Sequence, residues 1–238
     1  MEPIAARAWR AAEESRLGGW RLYASSGYSG RINACWPLAD PGVPLDQAIG
    51  ETEAWYQARS LRPMFKIVDE AECPSGLIPR LESLGYRSHT PTLMMVGIVD
   101  DVGDAGVLIE ETVSEAFGRV FAAAGAGDPG DARERLEALE RIATPRGFAR
   151  IECEGVAAAI GACAVEGEWT GIFAMRTAPD HRRQGLARRV LAALLARSHQ
   201  AGARRAYLQV EAPNAPAIAL YERAGFELAY SYSYWTRP

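Results

Sequence analysis

Apolar positions late in the chain recur with a helical period. Leu186, Val190, Leu191, Leu194 and Leu195 fall on one stripe and predict a helix reaching about Ala201. Upstream, "FARIECEG", "VAAAIGACAVEG" and "WTGIFAMRT" are short apolar runs between turn residues, which predicts a three-stranded meander. Two earlier helices are expected over residues 113–124 and 131–143, the second with Leu136, Leu139 and Ile142 on one side. "GAGDPGD" is the polar loop between them. After the long helix come the strand "RAYLQVEA", a short helix and the strand "ELAYSYSYW", whose "YSYSYW" alternates as a half-buried strand does. The order ααβββαβαβ describes an α/β (α+β) fold: a mixed, mostly antiparallel sheet flanked by helices, with a parallel pair across one helix. At the other end, Ile4, Ala8 and Ala12, with Trp9, form the inward stripe of an expected amphipathic helix within residues 1–20.

The two halves echo each other. "LESLGYRSHTPTLMMV" and "YERAGFELAYSYSYWT" each read as a helix end, a glycine with an aromatic residue, and a strand. Gly85 and Gly225 lie 140 positions apart, as do Gly27 and Gly167, each expected in a hairpin turn. The helical stretch "IGETEAWYQARSL" falls opposite "VLAALLARSHQAG" at nearly the same offset. Three matches at nearly one register suggest a duplication. The acidic, glycine-rich stretch "DDVGDAGV", residues 100–107, marks the boundary, giving domains over 1–103 and 104–238.

Composition narrows the function classes. The 238 residues carry a net charge of −4 and are 48% hydrophobic and 24% charged, which is ordinary for a globular protein. No apolar run reaches the roughly 18–20 residues that span a bilayer, and the N-terminus has no secretory pattern, so a cytoplasmic protein without membrane contact is expected. Cys35, Cys73, Cys153 and Cys163 form no C-x-x-C pair and read as buried small hydrophobes. His89, His181 and His199 share no ligand spacing with them, and no metal is expected.

Against this acidic background, eight arginines and one acid, Asp180, lie between Arg176 and Arg205. The strand that ends near Thr177 is stopped by Pro179, and the arginine-glycine segment lies between that strand end and the N-terminus of the long helix. The first N–H groups of a helix lack intrahelical partners and carry its positive dipole end, so this junction is suited to an anion. Gly185 lets a ligand approach the backbone, and Arg182, Arg183 and Arg188 add positive field. The predicted ligand is a phosphate or pyrophosphate. Neither G-x-x-x-x-G-K-[ST] nor G-x-G-x-x-G occurs; the loop reads R-x-x-G-x-A.

Downstream, Asn214, Ala217, Leu220, Tyr221, Gly225 and Phe226 form N-x-x-A-x-x-L-Y-x-x-x-G-F. Together and in this order, the two motifs resemble the GNAT superfamily of acyl-CoA-dependent N-acyltransferases. The resemblance covers roughly residues 107–238 and is specific in about the last sixty. It implies tandem GNAT-like domains with acetyl-CoA as cosubstrate. The pyrophosphate would be held at Arg182 and by the backbone amides of Arg183, Gln184, Gly185, Leu186 and Ala187. Met175 and Thr177 would pair their backbone with the pantetheine arm. Asn214 would orient the cofactor or a water, unless it only caps the helix after it. Tyr221 would protonate the departing thiolate, unless it only packs on the sheet. At the 140-residue offset Gly185 falls on Leu45, beside Pro44 and away from any arginine, so the first domain is expected to lack a coenzyme A loop.

The implied reaction is acetyl transfer to a primary amine of a small molecule or peptide by direct attack. A general base is not evident: "TGIFAMRT" has no carboxylate, and Glu152, Glu154, Glu166 and Glu168 lie on or beside neighbouring strands and turns. The tyrosines of "YSYSYW" would line the acceptor pocket or pack against the first domain. A non-catalytic acyl-CoA-binding regulator is the rival class. A nucleic-acid surface is disfavoured by a pI near 5.5 and by the lack of stacking aromatics among the arginines.

Overall fold

A computed structural model describes residues 2–68, 74–123, 128–143 and 145–238. Cys73, Ala124 and residues 125–127 of the predicted polar loop lie outside the described residues. The chain forms two compact units.

The larger unit comprises Met1–Arg10, Met95–Val210 and Asn214–Leu228. Its strands β6 (Leu108–Glu110), β7 (Arg146–Cys153), β8 (Val156–Glu166), β9 (Trp169–Thr177) and β10 (Arg205–Glu211) stand in the order β10-β9-β8-β7-β6. All neighbours are antiparallel except β9 and β10, which run parallel. Helices α1 (Glu2–Ala8), α4 (Glu115–Ala123), α5 (Pro129–Glu140), α6 (Leu186–Gln200) and α7 (Ala215–Arg223) belong to the same unit. The expected meander and the order of elements after residue 113 are therefore present. Every residue of the predicted stripe on α6 is buried. Helix α5 starts where Pro129 occupies its first turn and Asp128 accepts the Gly130 N–H at 2.6 Å.

The smaller unit comprises Ala11–Met94, Glu211–Pro213 and Ala229–Pro238. Its strands β1 (Glu13–Leu17), β2 (Trp20–Ala24), β3 (Cys35–Pro37) and β4 (Phe65–Val68) are followed in sheet order by β11 (Glu227–Thr236). Only β3 and β4 pair in parallel. Helices α2 (Leu45–Gln57) and α3 (Leu77–Ser83) complete it. Strand β5 (Arg87–Ile98) starts in the smaller unit and finishes in the larger, while β11 does the reverse. The compact units therefore do not follow a single cut at 103/104, because β11 hydrogen-bonds to β4 of the first half.

Two local expectations fail. The first helix stops at Ala8, with Ala5, Ala8 and Trp9 buried, Ile4 half-buried and Ala12 exposed. Residues 13–24 form the β1–β2 hairpin instead, because Gly18 takes φ +52° and lies against Pro41, where a Cβ would sit 2.1 Å from the carbonyl oxygen. Gly27 has positive φ but sits in a longer connection, in which Asn33 Oδ1 accepts the Ser25 and Gly27 N–H groups at 2.7 and 3.0 Å. Gly167 does occupy the β8–β9 turn, with φ +56°.

The correspondence across 140 positions extends to hydrogen bonds. Tyr86 N–H donates to Leu81 O and Phe226 N–H to Tyr221 O, both at 3.0 Å. Gly85 and Gly225 donate to Glu82 O and Glu222 O, again at 3.0 Å, with φ of +87° and +81°. Both are helix C-termini closed by a left-handed glycine. Likewise α2 connects the parallel pair β3 and β4, and α6 connects β9 and β10.

Candidate active site

The pairing of β9 with β10 extends from Trp169–Arg205 to Ile172–Leu208 and stops there. Beyond it, β9 continues to Thr177 with its register against β8 broken: Ala162 pairs with Phe173 and Ile160 with Arg176. Ala174 and Met175 thus oppose Gly161 alone, and Ala174 takes φ +53°. This bulge bends the strand away from its parallel neighbour and opens a cleft at the strands' carboxyl ends. Gly161 makes room for it, since a Cβ there would lie 2.5 Å from Met175 Sδ and 2.9 Å from Leu194 and Val190. Gly161→Ala is expected to cost about 1–3 kcal/mol of stability in denaturant unfolding.

The cleft is a cavity of about 780 Å³ lying within the larger unit. Its mouth is the predicted loop. A 3₁₀ turn over Pro179–His181 leads to Arg183 at φ +64° and Gly185 at φ +76°, and α6 starts at Leu186. Gly185 O accepts the Arg188 and Arg189 N–H groups at 3.1 and 3.3 Å. The N–H groups of Leu186 and Ala187 precede that first rung and have no helical carbonyl to reach. A Cβ on Gly185 would meet nothing within 4 Å, so it would project into open space rather than into the protein. Arg189 turns aside to a bidentate pair with Asp104 at 2.7 and 2.9 Å. That hydrogen bond, helped by the Gly106 N–H, holds the Asp104 carboxyl down to about 2.

Most of the predicted site residues come together. Met175, Thr177, Arg182, Arg183, Gly185, Leu186, Ala187, Asn214 and Tyr221 all line the cavity, joined by Arg176, Arg188 and Arg223; Gln184 does not line it. Asn214 Oδ1 accepts the Ala217 N–H at 3.3 Å, so this residue both caps α7 and faces the cleft. Tyr221 is buried on α7, with its ring 6.1 Å from that of Phe226.

None of the four candidate bases lines the cavity. Glu152 pairs with Arg150 at 3.0 Å and Glu166 with Arg7 at 2.7 Å. Glu154 occupies the β7–β8 turn at φ +52°, and the Glu168 carbonyl accepts the Arg204 and Arg205 N–H groups, both at 2.9 Å. Cys35 and Cys163 are buried thiols whose pKa is raised by desolvation. Among the described residues no group of His, Cys, Asp and Glu could hold a metal, and no helix is long and apolar enough to cross a membrane. "YSYSYW" is not half-buried: Tyr232 through Trp235 are all buried, with the Lys66 ammonium 3.9 Å from the Tyr232 ring centroid.

The smaller unit treats the corresponding junction differently. Pro44 precedes α2, Asp40 Oδ1 accepts the Gly42 N–H at 2.8 Å, and Asp46 in the first turn pairs with Arg80 at 2.6 Å. At the 140-residue offset Arg182, Arg183 and Arg188 fall on Gly42, Val43 and Ala48, so this junction lacks their positive field.

The chain has the GNAT superfamily fold. More specifically, residues 1–235 match the family described as "Probable histone acetyltransferase Rv0428c C-terminal", and the chain belongs to that family. It is similar to the uncharacterized N-acetyltransferase YobR of Bacillus subtilis, at 25% identity over 95% of this chain and 93% of that protein. Its fold resembles a GCN5-related N-acetyltransferase from Kribbella flavida, with TM-score 0.72 and 21% identity over 100% of this chain and 95% of the other. A tandem GNAT protein from the clavulanic acid biosynthesis pathway aligns with TM-score 0.64 and 14% identity, over 99% and 86% of the respective chains.

Proposed function

We propose that this chain is an N-acetyltransferase that moves the acetyl group of acetyl-CoA to a primary amine of a small molecule or peptide. The carrying observation is the α6 N-terminus, ringed by Arg182, Arg183 and Arg188, opening onto the cavity where β9 parts from β10. The loop amides of Arg183, Gly185, Leu186 and Ala187, with Arg182, hold the pyrophosphate. The backbone of Met175 and Thr177 takes the pantetheine arm as a strand would. Asn214 positions the cosubstrate or a water beside it.

The amine nitrogen bonds to the acetyl carbon as the carbon–sulfur bond breaks. The Tyr221 hydroxyl gives its proton to the sulfur and recovers one from solvent. An alkylamine is only about one part in a thousand neutral at pH 7. With no carboxylate among the described residues lining the cleft, the acceptor's proton leaves through water. The 140-residue correspondence supports two GNAT-like halves, 1–103 and 104–238, arising by duplication; the first, with Asp40, Pro44 and Asp46 at its junction, does not bind coenzyme A.

Thiol release from acetyl-CoA with a panel of small amines and peptide N-termini tests this reading. Amine-dependent release is the expected result. Tight acetyl-CoA binding with no release for any amine would make the chain a binding protein instead.

A further inference from the structure

Strand β9 presents its two faces to different helices after the bulge. Met175 lies toward α6, against the space beside Leu194 and Val190. Arg176, the next residue, points to the opposite face. There its Nη1 donates to the Phe121 carbonyl in the last turn of α4, and its guanidinium lies 3.7 Å from the Phe121 ring centroid. Arg176 lines the same cavity as the cofactor loop, yet faces away from the helix that carries the loop.

This guanidinium is half-buried and has no carboxylate of its own. Asp131, an acid whose field reaches it, is engaged by Arg135 at 2.7 Å. Among the described residues none forms an ion pair with Arg176, and residues 124–127 are Ala-Gly-Ala-Gly, which bring no charge. Desolvation first, and then Arg135, pull its pKa below the ordinary guanidinium value. An arginine has five N–H donors in a planar fork that fits an oxyanion, and here one of the donors is engaged by a backbone carbonyl. A partly desolvated cation carried by a residue that lines the cavity favours an anion beside it.

Building on the acetyltransferase reading above, we infer that Arg176 is a specificity-determining residue that binds an oxyanion on the acceptor. The acceptor is then an amine carrying a carboxylate or a phosphate on the same small skeleton.

Matched acceptor pairs test this. Initial rates of thiol release are compared for the common L-amino acids against their carboxamides, and for phosphoethanolamine against ethanolamine. In the wild type, kcat/KM for the anionic member should exceed that of its neutral partner by ~10-fold or more in at least one pair, and which pair responds separates carboxylate from phosphate. Arg176→Met keeps the packing on Phe121 and should bring the ratio to near one, while Arg176→Lys should keep most of it. A residue that only caps α4 would change both members of a pair equally. A wild-type ratio near one, an unchanged ratio in Arg176→Met, or turnover of neutral amines with none of any anionic acceptor would each overturn the inference alone. Failure of the folded wild type to bind acetyl-CoA in a titration would remove the acetyltransferase reading as well.

Discussion

Glutamate at position 185 should abolish acetyl-CoA binding in a calorimetric titration while leaving the fold intact. Gly185 sits at φ +76°, where a side chain is strained by roughly 1–2 kcal/mol. No atom lies within 4 Å of the added Cβ, so there is no clash to add to the strain. A carboxylate at a helix N-terminus stabilises the helix by about 0.3–1 kcal/mol, which offsets part of that cost. Folding therefore changes little. Binding changes much more, because the new carboxylate occupies the place proposed for the pyrophosphate and takes up the N–H groups proposed to hold it. Losing two hydrogen bonds to a charged group, at roughly 1.5–3 kcal/mol each, weakens binding by ~100-fold or more. Gly185→Ala, with the strain but not the charge, should lose far less. Unchanged affinity in folded Gly185→Glu would move the pyrophosphate away from this loop.

The parts of this site that were legible in the sequence are those set by local rules. The stripe from Leu186 to Leu195 gave a helix, and the R-x-x-G-x-A segment before it had to be that helix's N-terminus; both lie where the pattern placed them. The bulge at Ala174 left no such trace. Alanine has no preference for positive φ, and the conformation there comes from the broken β8–β9 register and the space over Gly161. The candidate bases failed for a related reason. Nearness to a strand end in sequence says nothing of direction, and Glu152 and Glu166 are held by Arg150 and Arg7 instead. At the N-terminus, helical periodicity carried on past Ala8 on paper, but the close approach of Gly18 to Pro41 forms a hairpin there. "YSYSYW" alternates in polarity yet is buried on both faces, because its strand pairs with β4 of the first half and Lys66 lies against Tyr232. Long-range partners of this kind lie outside any local window.

The same contrast between local pattern and placement decides what to expect of Tyr221. As helix packing, its ring contacts Phe226 and fills space that phenylalanine would fill equally well. As an acid, its hydroxyl protonates the departing thiolate, a role typically worth about 10²–10⁴ in rate. Tyr221→Phe separates the two, because it removes the oxygen and keeps the ring. The expected result is a kcat lower by ~100-fold or more, with acetyl-CoA affinity within about a factor of two of the wild type, since a group needed only as sulfur departs contributes little to ground-state binding. Calorimetry and single-turnover rates on the same preparation give both numbers. A kcat reduced by less than about threefold would leave Tyr221 as packing and make solvent the proton source. A parallel loss of affinity and rate would instead mean that the hydroxyl helps to hold the pantetheine arm.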